Sequence, residues 1–282
     1  MTGTGSARVE TLASMRLASS GWHFSRAFVT HVWVLIVAAI AWELIARSAN
    51  VFYFPPLTTV LEHARQMWFS GPASSGWLTQ AFMADVASSL VRVVLGLLVA
   101  VVLGVLAGTA IGLLPRLGDF IDPTLQFARS VPPVALVPIF MLLFGIGSEM
   151  RITLIAFTSV WPILLNTITG VRSVEPLYHA TARLFRIGIR KRLVYIVLPA
   201  SAPLILAGLR VSTALALIVM VLSEMVAATS GIGYRLMFEQ QSFALANMWA
   251  CIVLLGTIGY LLNAIVVLLE KRLLRWLPTP RE

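Results

Sequence analysis

What this chain lacks most is charge: only 12% of its 282 residues are Asp, Glu, Lys or Arg, where a soluble domain carries roughly a quarter. That excludes an ordinary water-facing globule, which has to keep a charged surface. Cysteine is nearly absent as well. The single Cys251 lies in an apolar run, which rules out a disulfide framework, a paired-cysteine metal site and a redox motif and leaves a packing role. The four histidines, His23, His31, His63 and His179, are scattered, so no cluster of His, Asp and Glu suggests a bound metal or the acid–base pair of a membrane-embedded enzyme. No segment of the form Gly-x4-Gly-Lys-Ser/Thr occurs, and no stretch could form a soluble domain to house one, so this chain does not supply its own ATP site. Acidic residues are short too, 12 against 21 basic, for a net charge of +9. The basic residues fall between and beside apolar runs rather than along one soluble face, which argues against nucleic acid as a partner.

What is present in excess is apolar sequence. Hydrophobic residues make up 59% of the chain and the mean hydropathy is +0.89, in runs long enough for lipid-solvated helices. A tail over 1–27 carries Arg8, Arg16 and Arg26 and leads into the run 28–46. Its length, with Trp33, Trp42 and Glu43 inside it, favours a first span over a cleaved signal segment. Residues 47–80 read as an exposed loop with a short helix, punctuated by Phe54-Pro55-Pro56 and Gly71-Pro72. Further spans are expected at 90–114, 131–144, 152–170, 202–225 and 248–269, followed by a short tail over 277–282. Pro132, Pro133 and Pro138 break the third, which is tolerated only where protein or a water-filled cavity surrounds it. Gly104, Gly108 and Gly112 recur every four residues in the second, a face along which another helix can approach closely.

Six spans place both termini on one side. The side with the termini and the loops 115–129 and 171–192 holds fifteen Lys and Arg against four on the other, so that side is expected to be cytoplasmic. Ionisable groups within spans are costly, about 2.5–3.5 kcal/mol at a helix centre on insertion scales. Glu43 and Arg92 lie near span ends, where snorkelling accounts for them, and Arg210 and Glu224 are too far apart on one helix to pair. Glu224 and the neutral Ser130, Thr158, Ser159, Asn166, Thr167, Ser212, Thr213 and Ser223 are the candidates for touching cargo along a pathway, against the alternative that each bonds its own or a neighbouring helix.

The loop 171–199 is the most informative segment. Pro176 suits the first turn of a helix. At helical spacing Leu177, Ala180, Leu184 and Ile187 form an apolar stripe beside the basic stripe His179, Arg183, Arg186 and Arg190. By amphipathicity alone this is as well read as an interfacial helix on anionic headgroups.

Its wording, Val171-Arg-Ser-Val-Glu-Pro176 at the start and Leu198-Pro-Ala-Ser-Ala-Pro203 with Ala207-Gly-Leu-Arg210 at the close, resembles the loop by which ABC importer permeases engage their ATPase. Ser89-Leu-Val-Arg92, Asp122-Pro123, Val131-Pro-Pro-Val-Ala-Leu-Val-Pro138, Phe144-Gly-Ile-Gly147, Pro162-Ile-Leu-Leu-Asn-Thr167, Ser223-Glu-Met225 and Ser230-Gly-Ile-Gly-Tyr234 extend the likeness, in order over about 50–276, to the permeases of the nitrate, sulfonate and taurine importers. The resemblance implies an all-α membrane protein, a six-helix type I ABC importer transmembrane domain with a cytoplasmic coupling helix made by Pro176, Leu177, His179, Ala180, Thr181, Ala182, Arg183, Leu184, Phe185, Arg186 and Gly188. It implies no cofactor on this chain, with ATP and magnesium on two partner ATPase subunits. It also implies a second permease chain, identical or homologous, an extracytoplasmic substrate-binding protein, and a place in the bacterial inner membrane. The cargo implied is a small solute, an organic anion such as a sulfonate, or nitrate. The chain departs from the family at Phe185-Arg186, where a Leu-Gly pair is usual; Arg186 either straightens the turn or passes it to Gly188. An ATPase-independent secondary transporter or channel is the alternative, but it calls for inverted halves with paired broken helices, and no internal repeat is evident.

Overall fold

The computed structural model describes residues 33–276; the two expected tails and the first residues of the expected first span lie outside them. The described chain divides into two units, one ending at Glu62 and one beginning at His63.

In the first unit a helix, α1, covers 33–49. The connector returns to it because the Trp42 indole donates to the Pro55 carbonyl at 3.1 Å and its ring stacks on Phe54 at 5.3 Å. Glu43 pairs with Arg47, Nη2 to Oε1 at 2.6 Å. It accepts the Thr58 N–H at 3.1 Å in the first turn of α2 (Leu57–Trp68), satisfying an orphan donor at the positive end of that helix.

The second unit is helical throughout its regular structure. A π-turn (Phe82–Ala87) opens α3 (Ser88–Leu113), followed by α4 (Pro115–Ser130), α5 (Pro133–Phe144), α6 (Ser148–Arg172), α7 (Pro176–Leu184), α8 (Ile189–Arg192), a π-turn (Leu193–Val197), α9 (Leu198–Ala227), α10 (Ile232–Gln241) and α11 (Leu245–Leu273). Among the described residues four segments are long and apolar enough to span a bilayer: Phe82–Leu113, Ser148–Arg172, Ile189–Val226 and Leu245–Leu273. Each exceeds the span expected at that place, because helix geometry continues past the apolar core into the polar flanks. The third differs in kind. The stretch 115–129, expected to be a loop, is helix α4, and α5 has 12 residues, about 18 Å, too short for a hydrocarbon core of about 30 Å. α4 and α5 together pass as one bent segment with an angle of 92° between them. The bend is at Val131-Pro132, both extended (ψ 122° and 128°), because the residue before a proline is pushed out of the helical region.

α3, α6 and α9 form the core, with Val93, Val137, Met150, Leu154, Ile155, Ala216, Val219 and Met220 closed together and joined by α5. The expected glycine face does the packing inside this chain: Gly96, Gly104, Gly108 and Gly112 run down α3 against Ile155, Ile163, Thr167 and Val171 of α6. A Cβ on Gly108 would lie 2.7 Å from Thr167 Cβ and 2.8 Å from the Leu164 carbonyl oxygen, which leaves no room for any side chain. Gly108→Leu is therefore expected to force α3 from α6 at a cost of about 1–3 kcal/mol or more, read as a lowered melting temperature in detergent; a parental melt would mean that the two helices are not held this close.

Candidate functional site

The α4–α5 bend and Pro162, a proline inside the continuous helix α6, border one space. From the connector 145–147, α5 rises about 18 Å to the bend and α6 about 21 Å to Pro162, roughly halfway along its 25 residues. Between them lies a cavity of about 410 Å³, lined by Arg129 and Val131 at the bend, Pro133 and Leu136 of α5, six residues of α6 from Phe157 to Asn166, and Leu215 of α9. Phe157 meets Trp161 edge to face at 5.4 Å and Phe140 at 5.7 Å. Pro162 has no N–H, so the Thr158 carbonyl loses its usual helical donor. Asn166 donates to the Pro162 carbonyl at 2.8 Å, leaving its own amide oxygen and second N–H. Arg129 is exposed; its guanidinium reaches Gln126 Oε1 at 3.3 Å, and it has no carboxylate partner among the described residues.

Of the residues expected along a pathway, the structure brings only Thr158 and Asn166 to this cavity. Ser159 and Ser212 face each other across α6 and α9, the Ser212 hydroxyl donating to the Ser159 carbonyl at 2.6 Å. Ser130, Thr167, Thr213 and Ser223 donate to carbonyls of their own helices. Glu224 is wholly buried in an ion pair with Arg92, Nη1 to Oε1 at 2.5 Å. Ser89 Oγ lies 2.8 Å and 2.9 Å from its two oxygens and the Gly233 N–H donates to it at 3.0 Å. Arg92 is thus not a snorkelling residue: it is 4% exposed, and its remaining donors reach Ser148 Oγ, the Ser230 carbonyl and Ser230 Oγ. The pair ties α3 to α9 and to the loop before α10. Gly231 (φ +118°) passes over the carboxylate where a Cβ would strike it, which explains the Ser-Gly-Ile-Gly run. Arg210, nearer the other end of α9, pairs instead with Glu270 of α11 at 2.9 Å. Sequence reasoning missed Arg92, Arg129, Phe157 and Trp161. An arginine at 92 facing a glutamate at 224 was legible as charge, but not as a contact.

The loop helix α7 forms where Pro176 predicts it. Ala182 is its buried residue, and His179 Nδ1 accepts from Arg192 Nη2 at 2.6 Å. Leu177, Leu184 and Phe185 are exposed by 64%, 78% and 70%, with Pro176, Ala180, Thr181, Arg183, Arg186 and Gly188 also exposed. Desolvation and the nearby Arg192 and Arg183 cations hold the His179 pKa below its ordinary value. This contact is therefore present above the ordinary histidine range and lost as pH falls through the lowered value. The helix ends in a Schellman turn: Ile187 N–H bonds the Ala182 carbonyl at 2.9 Å and Arg186 N–H the Arg183 carbonyl at 3.0 Å. Arg186 itself takes the left-handed position, φ +51°, while Gly188 sits at φ −62°. The turn is thus neither straightened nor passed on. Arg186→Gly is expected to relieve about 1 kcal/mol of backbone strain and to slow amide exchange in α7; faster exchange would mean that the arginine side chain, not the backbone, holds the turn.

A multi-pass helical bundle with a cavity beside a bent helix pair and an exposed loop helix has the build of a membrane transport subunit. The comparisons make this specific: residues 100–275 match the family described as binding-protein-dependent transport system inner membrane component, and the chain belongs to it. It is 30% identical to the taurine transport system permease protein TauC of Escherichia coli over 95% of this chain and 96% of that one. It is 34% identical to the aliphatic sulfonates transport permease protein SsuC of Bacillus subtilis, over 56% of this chain and 57% of that protein. The fold matches the inward-facing MetNI methionine ABC transporter with a TM-score of 0.60 at 15% identity, over 67% of this chain and 94% of that chain. The chain is the permease component of an ABC importer.

Proposed function

We propose that this permease works with two ATPase subunits, which carry ATP and magnesium, a second permease chain and an extracytoplasmic binding protein, and that it imports a small organic anion. The termini and α7 lie on the cytoplasmic side, as the lysine and arginine distribution favours. The observation that carries the reading is the α7 surface: Leu177, Leu184 and Phe185 stand clear of the chain while Ala182 and His179 are held against it. Such a helix can pass a push from a docked ATPase into α6 and α9, to which it is joined at both ends. The anion is favoured by the cation at the cavity, by the absence of acidic residues from its lining, and by relatives named for taurine and aliphatic sulfonates. Alternating access would then open the cavity to each side in turn.

Purification of the permease with its co-expressed ATPase and reconstitution with the binding protein test this. A stoichiometric ATPase and vanadate-sensitive uptake are expected. Uptake that persists without any ATPase would overturn the reading in favour of a secondary transporter.

A further inference from the structure

The cavity at the α4–α5 bend is lined mainly by apolar side chains. A bare oxyanion such as nitrate needs several donors converging at short range, since every oxygen leaves water. The lining offers little of that. Its single cation, Arg129, is exposed at one edge, and Thr158 Oγ1 has already given its proton to the Leu154 carbonyl at 2.9 Å. Asn166 has one amide N–H to spare after bonding Pro162. The rest of the wall is proline, aliphatic and aromatic, and Phe157 and Trp161 are fixed edge to face at 5.4 Å, so they form a set apolar surface rather than collapsing into the space. The volume, about 410 Å³, is in the range of pockets that enclose a multi-atom organic ligand, about 300–1,000 Å³. A nitrate ion would fill a small fraction of it and leave the apolar walls facing water.

We propose that this cavity is a cargo subsite for a monovalent organic anion with an apolar body, a sulfonate or carboxylate whose head meets Arg129 and Asn166 and whose body lies against Phe157 and Trp161, and that it discriminates against bare inorganic oxyanions. The proposal rests on the importer reading and narrows its cargo. Arg129 suits a sulfonate or carboxylate head because its planar fork can donate two parallel bonds. The aromatic pair supplies contact area at low conformational cost.

The probe is 1-naphthalenesulfonate, whose own fluorescence reports burial. It is titrated into the detergent-purified permease–ATPase complex without binding protein, with hexanesulfonate and nitrate as competitors. Saturable binding is expected, displaced by hexanesulfonate and not by nitrate at the same concentration. Trp161→Ala and Arg129→Gln should each weaken binding by about tenfold, the size of one lost aromatic contact or one charged hydrogen bond. Leu143→Ala, on an exposed part of α5, should not change it. Trp161→Phe, which keeps an aromatic wall, should retain most of the affinity and guards against a folding defect in the alanine variant. Equal displacement by nitrate, or parental affinity in both Trp161→Ala and Arg129→Gln, would overturn the subsite. The two readings fail separately: vanadate-sensitive uptake with no naphthalenesulfonate binding removes only the subsite, and binding without ATP-dependent uptake removes only the importer.

Discussion

Arg92→Met is expected to cost the folded bundle about 3–5 kcal/mol, because it leaves a buried charge without its partner. Glu224 has no exposed surface and would keep Ser89 and the Gly233 N–H as hydrogen-bond donors, with the buried Arg151 as the one cation still acting on it among the described residues. Met roughly matches the arginine stem in volume, so the loss would be electrostatic rather than a cavity effect. The damage should concentrate where the pair joins α3, α9 and the loop before α10, an arrangement that cannot relax because Gly231 is already closed over the carboxylate. Thermal melting of the detergent-purified chain, followed by tryptophan fluorescence, reads the effect. Arg92→Met combined with Glu224→Gln should recover much of it, since the amide still accepts from Ser89 and Gly233 and brings no charge. A single Arg92→Met variant that melts with the parent would show that the ion pair does not hold these helices together, and a double variant worse than the single would point to a lost hydrogen-bond network instead.

The second large effect is expected at the loop helix. Leu184→Asp should abolish ATP-coupled uptake or release the ATPase while the permease itself melts normally. Leu184 is 78% exposed in this chain, so a charge there costs the permease little by itself. In a docked interface the same change removes apolar burial and forces a carboxylate out of water, a penalty of several kcal/mol. The separation of the two readouts makes the test informative: a general folding fault would move both. If Leu184→Asp transports like the parent, α7 is an anchor on lipid headgroups and coupling runs through the second permease chain.

The membrane class, the long apolar helices and the loop helix could all be read from composition, run length and Pro176, because lipid solvation and helix starts are local, one-dimensional constraints. The glycine face of α3 was legible for the same reason: a four-residue repeat states that something comes close, though not what. The cargo candidates were not. Hydroxyl and amide side chains in apolar helices look alike in sequence, and whether one faces a neighbour, its own carbonyl or a cavity depends on helix rotation. Hence Thr158 and Asn166 reach the cavity while Ser159, one residue away from Thr158, is turned to Ser212.

The sequence by itself determined that this is a helical membrane protein of the importer-permease kind, since low charge, long apolar runs and ordered motifs need no third dimension. Only the tertiary structure decided that Arg92 and Glu224, 132 positions apart, satisfy each other. It also decided that α4 and α5 meet at 92°, and that Arg186 takes a left-handed turn in place of the usual glycine. In each case the deciding quantity is a distance or angle between groups whose costs cancel only in contact: a buried charge against its counter-charge, a bent helix pair against the neighbours that shelter it, a strained φ against the capping bonds that hold it.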